Sequence, residues 1–450
     1  MMKVFPAVAT GIPEILLPHR DIDLQRWAVI ACDQHTSEPE YWEKVAEVVG
    51  NSPSALHLIY PEVYLKEKEP EVRIKRIKET MRRYLEEGVF TSHEGIVYVE
   101  RTVNAGNRGG MLLCLDLEQY DYNPGSKTLI RATEGTILER IPPRLKIREA
   151  APVELPHVMV LIDDPEDIVI GPLREKARRR SDALAKLYDF DLMLSSGHLT
   201  GWLVTDKEVE SGVIRALSRL AEPESFSSRY QVSVETPVLL FAVGDGNHSL
   251  ATAKTIWEKH KQANPSLTHV PDYPLRFALV EIVNLHDPAI VFEPIHRVLF
   301  KVRPTLDLTK EIRSFFGEKI IISAVTDFPE IKRRLKALPP DRQGFGVIEE
   351  KQFLFAEILE PKSILAVGSL QTFLDDWQKK GGAEAIDYVH GEETVLKLGR
   401  QPGNMAFYLP AMDKNLLFKT VIREGILPRK TFSMGEAWEK RFYLEARRLI

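Results

Sequence analysis

Apolar residues change period repeatedly along this chain, and the sharpest change falls between Pro237 and Gln262. The run Pro237-Val238-Leu239-Leu240-Phe241-Ala242-Val243 is short and continuous and predicts a buried strand. From Leu250 to Gln262 the spacing turns helical, and Leu250, Ala253 and Trp257 share one face. Between the two stand Gly244, Asp245, Gly246, Asn247, His248 and Ser249. A strand that breaks at glycines and enters a helix turns backbone N–H groups toward solvent, where anions bind.

The same reading predicts mixed elements elsewhere. Trp27 to Ala31 is strand-like, and a helix follows from Tyr41 to Val49, with Ser37 as N-cap and Glu40 completing a capping box. A longer amphipathic helix spans Pro70 to Glu87 and stops at Gly88. Gly95 to Arg101 and Gly110 to Leu117 read as strands around a glycine-rich turn. His157 to Ile162 reads as a strand, Pro172 to Leu187 as a charged helix, and Leu192–Leu194 with Trp202–Val204 as a hairpin. After the helix Glu208 to Ala221, Leu275 to Val283 is a buried strand and Ala289 to Phe292 a short one. Residues 306–368 read as a smaller α+β unit, followed by a helix from Leu370 to Lys379. Strict βαβ alternation is absent, so the fold class expected is α+β, with mixed sheets and packed helices. The expected domains are 1–304, a smaller α+β unit 305–385, and a C-terminal segment 386–450 that packs back on the first.

Composition narrows the picture. A chain of 450 residues is long enough for more than one domain. A formal net charge of −5 offers no basic field, so no nucleic-acid partner is expected. No apolar stretch approaches the ~20 residues of a membrane span, and the N-terminus carries no secretory pattern, so a cytoplasmic protein is expected. Cys32 and Cys114 form neither a disulfide framework nor a metal-type pair.

Five polar clusters stand out against this background. The loop from Gly244 to Ser249 is neither a Walker A loop nor a dinucleotide fingerprint, which leaves a short anion cradle with an added carboxylate, amide and imidazole. A capped helix start is the competing account. Asn284-Leu285-His286-Asp287-Pro288 followed by Pro294-Ile295-His296-Arg297 could hold a metal or a phosphate, or simply build a turn. Arg131-Ala132-Thr133-Glu134-Gly135-Thr136 combines a cation, a carboxylate and hydroxyls, a set suited to phosphate binding and general-base work. Asp33-Gln34-His35-Thr36 lies after a strand and before a helix. Arg429 and Lys430 precede Thr431 and could grip an anion.

Taken together, these motifs resemble those of the domain-of-unknown-function 1015 family over nearly the whole chain. Its Asp-Gly-His-His-Arg loop corresponds to Asp245-Gly246-Asn247-His248-Ser249, and its Pro-x-His-Arg to Pro294-Ile295-His296-Arg297. Glu134 and Thr136 match its His-Glu-Arg-Thr stretch, and Pro428-Arg429-Lys430-Thr431 its C-terminal basic motif. Asn247 and Ser249 stand where the family carries His and Arg, and Asp33-Gln34-His35-Thr36 departs from its usual Pro-Pro-Tyr-Asp. The loop is also similar to one in the ParB/sulfiredoxin-like superfamily, which implies a core of that kind and phosphoryl transfer to a small metabolite.

The function expected on this resemblance is a nucleotide-dependent phosphotransferase for a small hydroxylated metabolite, using ADP or ATP with Mg²⁺. Glu134, Asp245 and His248 are the catalytic candidates. Gly244, Gly246, Asn247, Ser249, Thr136, Arg131, His296, Arg297, Arg429 and Lys430 are the phosphate- and substrate-binding candidates. A metal-dependent hydrolase using Asp33, His35, Asp245, His248 and His286 as ligands is one alternative, and a non-catalytic ligand-binding or regulatory protein another. The partners expected are a small-molecule substrate and, as an open possibility, a second copy of the chain.

Overall fold

The computed structural model describes residues 2–65, 67–135, 141–303 and 307–449. They divide into two compact units, one formed by Met1–Val291 with Gly435–Ile450 and the other by Phe292–Met434. Residues 386–434 thus belong with the second unit, and only the last sixteen or so return to the first. The fold is α+β throughout.

The first unit is built on a large mixed sheet. Its strands are β2 (Val97–Val103), β3 (Gly106–Asp116), β4 (Tyr120–Asp121), β5 (Ile130–Ala132), β6 (Met159–Ile162), β7 (Leu184–Asp191), β8 (His198–Val204), β9 (Phe241–Asp245) and β10 (Phe277–Asn284). A short β1 (Val29–Ile30) lies outside it. Across the sheet the order is β7-β8-β2-β3-β10-β6-β9-β5-β4. The centre, β10 and β6, is parallel, whereas β9 runs antiparallel to β6 and parallel to β5.

Alternation along the strands sends apolar residues to both faces. Tyr98, Met111, Leu113, Val280, Ile282, Phe241 and Val243 face one core, which α4 (Gly171–Arg178), α5 (Lys207–Leu220) and α6 (Asn247–Ala263) close with Leu173, Leu217, Leu250 and Trp257. Val97, Val99, Leu112, Cys114, Phe277 and Leu279 face the other. There α1 (Pro39–Val49) and α2 (Pro70–Glu86) supply Trp42, Val45, Ile77 and Met81. Helices therefore cover both sides of the sheet, which is why its central strands read as continuous apolar runs.

Several elements differ from the sequence reading. The helix expected over Pro172–Leu187 ends at Arg178, and Leu184 begins β7. Arg180 takes a left-handed backbone conformation (φ 52°), and β7, with a register shift between Lys186 and Tyr188, buries Leu184 and Tyr188 against opposite faces of the sheet. The expected hairpin is present and joins β7 to β8, its turn running from Leu192 to Gly197 and its first strand lying before Leu192. Ala289 to Phe292 forms no strand before Phe292, because Asp287 caps a turn by accepting from Ala289 N at 2.9 Å. Ser37 does not cap α1; Glu38 holds the N-cap position without a side-chain bond, and Pro39 opens the helix.

The second unit has its own sheet. Its strands are β11 (Phe292–Phe300), β12 (Ile320–Val325), β13 (Gln343–Ile348), β14 (Phe353–Ile358), β15 (Ala385–His390), β16 (Met405–Tyr408) and β17 (Phe432–Met434). The order is β12-β14-β13-β16-β11-β15, with β17 paired to β11. A two-residue strand, β18 (Phe442–Tyr443), then belongs to the first unit and pairs with β1.

Candidate functional site

The predicted strand-to-helix turn is present. β9 ends at Asp245, Gly246 takes a left-handed conformation (φ 81°), and α6 starts at Asn247. A Cβ at Gly246 would stand 3.0 Å from Val158 Cα, so close approach and φ both require glycine there. The N-cap position of α6, Gly246, has no side chain with which to cap the first turn. That leaves its amides directed at whatever lies beyond the end of β9.

Sheet register brings the other candidates to this end. β5 runs parallel to β9 with Ala132 opposite Val243, and Thr133 Oγ1 donates to Val243 O at 2.6 Å. Two residues further along each strand stand Glu134 and Asp245, both half-buried. Asp245 Oδ1 accepts from Gly246 N at 2.9 Å, and its Oδ2 meets Lys440 Nζ at 3.2 Å. Lys440 precedes β18, whose pairing with β1 also sets Tyr443 against Cys32.

Tyr443 organises the wall behind that ion pair. Its hydroxyl lies 2.7 Å from His157 Nδ1 and 3.1 Å from Cys32 Sγ, and its ring meets the His157 ring edge-on. Burial, assisted by Asp33, pushes the Cys32 thiol up to about 12, so it is no nucleophile at neutral pH. Burial also drives the Tyr443 hydroxyl well above its ordinary value and His157 below its own. Asp33 differs: burial pushes its carboxyl up, but His157, the Gln34 amide, Arg144 and Lys440 outweigh this and hold it low. Near neutral pH the group is thus an ionised Asp33, a neutral imidazole, a phenol and a thiol, bordered by two cations. Arg144, on α3 (Ile141–Arg148), is itself paired with Glu62.

Of the sequence candidates, Gly244, Asp245, Gly246, Asn247, His248, Ser249, Glu134 and Asp33 come to this end of the sheet. His248 is the second residue of α6 and Ser249 the third. Asn247 Oδ1 is buried with no hydrogen-bond partner among the described residues. Thr136 lies outside the described residues. Arg131 serves structure: its guanidinium donates to Thr128 O at 2.8 Å and Pro237 O at 2.7 Å, and burial lowers it to about 10. His35 stacks on Tyr41 with ring centroids 3.7 Å apart and pairs with Glu38.

His286 is at the wrong end of the sheet for the metal set proposed from sequence. Met159, at the start of β6, pairs with Asp245, whereas Ile162, at its end, pairs with Asn284. Roughly 10 Å of strand separates the two ends. There His286 Nε2 binds Asp163 Oδ1 at 2.6 Å. Among the described residues no group of three His, Cys, Asp or Glu side chains is placed to hold a metal ion.

His296, Arg297, Arg429 and Lys430 belong to the second unit. Arg297 is fully buried and donates to Gln371 Oε1 at 3.2 Å, Arg429 O at 3.0 Å and Ile295 O, which spends its donors on holding that unit together. Arg429 pairs with Asp375 at 2.8 Å. His296 accepts from Leu409 N at 3.2 Å, and burial with the Arg297 charge lowers it to about 4. Above pH ~6.5 it is neutral folded and unfolded; below that, the unfolded chain takes up a proton that the folded one refuses. Stability is therefore full at neutral pH and falls as pH drops toward 4, by about 3 kcal/mol. Hydrogen exchange over residues 292–434 should show this loss in the wild type, and a much smaller one in His296→Gln.

Sequence reasoning missed Lys440, Tyr443 and His157, and noted Arg144 only as following the Arg131–Thr136 cluster. The local signal for Tyr443 was the apolar run Phe442-Tyr443-Leu444, too short to identify a strand.

The model of a family described as "Protein of unknown function (DUF1015)" matches residues 16–377. No curated protein matches the chain. Solved structures similar to it include a free serine kinase in complex with AMP, at 10% identity and TM-score 0.37, covering 75% of this chain and 92% of that one. SbnI with a C-terminal truncation, from Staphylococcus aureus, aligns at 10% identity and TM-score 0.35, over 75% and 87%. A conserved hypothetical protein from Pyrococcus furiosus aligns at 11% and 0.34, over 74% and 90%. These likenesses are too slight to assign an activity.

Proposed function

The chain belongs to the DUF1015 family, whose description assigns no activity, and from the geometry at the end of β9 we propose a nucleotide-dependent phosphotransferase acting on a small hydroxylated metabolite. One observation carries the reading: the glycine-led start of α6 lies beside two half-buried carboxylates at the ends of neighbouring parallel strands. Phosphate fits the amides at such a helix end. When bound, the nucleotide supplies the phosphoryl group. Glu134 takes the proton from the acceptor hydroxyl as its oxygen bonds to phosphorus and the bond to the nucleotide breaks. Lys440, poised on Asp245, neutralises charge on the transferred group.

Mg²⁺ commonly binds through one or two carboxylates plus substrate phosphates. Asp245 suits that role. A hydrolase with a protein-held metal is not supported, because His35 and His286 are engaged elsewhere.

Calorimetric titration of ADP and ATP with Mg²⁺, followed by ³¹P NMR over a panel of hydroxylated metabolites, tests the reading. Binding of at least one nucleotide and a new phosphomonoester signal are expected. Absence of nucleotide binding overturns the proposal, and binding without turnover indicates a ligand-binding protein instead.

A further inference from the structure

A cavity of about 110 Å³ opens beneath the first turns of α6, where Ser249 and Thr252 line it. The wall opposite is mostly hydrocarbon, including Leu58, Ile59, Met81, Ile147, Val153 and Leu155. None of this is needed to hold a nucleotide. A dry cavity of about 150 Å³ holds benzene, so the space here is small for a purine and suits a short hydrocarbon chain.

The polar part of the wall is uneven in charge. Arg144 and Arg148 line it, with Glu154 as the acid. Arg144 is already paired with Glu62. Glu154 is shared, binding Arg447 Nε at 2.6 Å and also Arg148, while accepting from Leu279 N at 2.9 Å. One carboxylate therefore serves two guanidinium groups. Arg148 Nε is buried without a hydrogen-bond partner among the described residues. A buried donor of this kind is destabilising unless something accepts from it. An apolar slot whose described lining holds two guanidinium groups, one carboxylate and an unmet Arg148 donor is complementary to an anion on a short hydrocarbon chain.

We infer that this cavity binds a short aliphatic carboxylic acid, its carboxylate at Arg148 and its chain against Leu58, Ile59 and Met81. On the phosphotransferase reading, on which the following step rests, the acceptor is such an acid bearing a hydroxyl directed at Ser249. That residue belongs both to the cavity and to the first turn of α6, so acceptor and phosphate meet there.

Titration calorimetry of the whole chain without nucleotide tests the inference, using acetate, butanoate, pentanoate, octanoate and 1-pentanol. Butanoate and pentanoate are expected to bind at least tenfold more tightly than acetate or octanoate, and 1-pentanol not measurably. Ala151→Leu, which fills the slot, should weaken pentanoate at least tenfold and leave ADP binding unchanged. Leu155→Phe is the second filling variant should Ala151→Leu not fold. No binding of any acid, or equal binding at every chain length, overturns the inference. Pentanoate binding without transfer to any hydroxypentanoate overturns only the phosphotransferase reading, whereas transfer to polyols without acid binding overturns only the cavity assignment.

Discussion

Replacing Arg441 by methionine is expected to destabilise the first unit by about 3–5 kcal/mol, the range for removing one partner of a buried ion pair. Arg441 is 4% exposed and divides its guanidinium between Glu281, at 2.5 Å, and Glu445, also at 2.5 Å. Its Nε donates to Pro156 O at 2.9 Å, directly before His157. Methionine preserves much of the volume, so the loss comes from two carboxylates stranded in the core. Glu281 would keep Arg108 at 3.8 Å, and Glu445 only the Tyr188 hydroxyl. Urea denaturation followed by hydrogen exchange outside residues 292–434 measures the effect. The triple variant Arg441→Met, Glu281→Gln, Glu445→Gln should recover more than half of the stability. Recovery of none would mean that shape, and not charge, made Arg441 necessary.

This network explains what the sequence could and could not disclose. The β9–Gly246–α6 turn was legible because its determinants are local: an apolar run, a glycine and a helical period within about 25 residues of each other. Asp33 was legible for the same reason, standing just past a short apolar strand. Glu134 needed one non-local fact, the parallel pairing of β5 with β9, and the family resemblance supplied the suspicion that the two meet. Lys440, Tyr443 and Arg441 were invisible. Their role depends on a two-residue strand pairing with Val29–Ile30 some 400 positions away. A strand that short has no periodicity to read. His296 and Arg297 misled in the opposite sense, since charged residues in a strand suggest a rim, whereas both are buried and hydrogen-bonded inside their own sheet.

The second large effect is kinetic, and it separates the two carboxylates at the end of β9. Glu134→Gln keeps the shape and a hydrogen-bonding tip but cannot accept a proton. General-base catalysis is commonly worth about 10²- to 10⁴-fold, so kcat should fall by that factor while nucleotide Kd stays within about twofold. Asp245→Asn acts differently, because Asp245 is the ion-pair partner of Lys440, which is largely buried. The substitution removes a negative charge from beside the phosphates and a carboxylate suited to Mg²⁺. Nucleotide affinity in the presence of Mg²⁺ should therefore fall at least tenfold, and affinity without Mg²⁺ should hold or rise. The contrast is diagnostic: two carboxylates that merely stabilised the strand ends would shift unfolding midpoints together and leave the Mg²⁺ dependence alone. Single-turnover rates with titrations in Mg²⁺ and in EDTA distinguish these outcomes. A Glu134→Gln protein with undiminished kcat would remove Glu134 from the base role and leave Asp33, whose carboxyl is held low by its neighbours, as the group to substitute next.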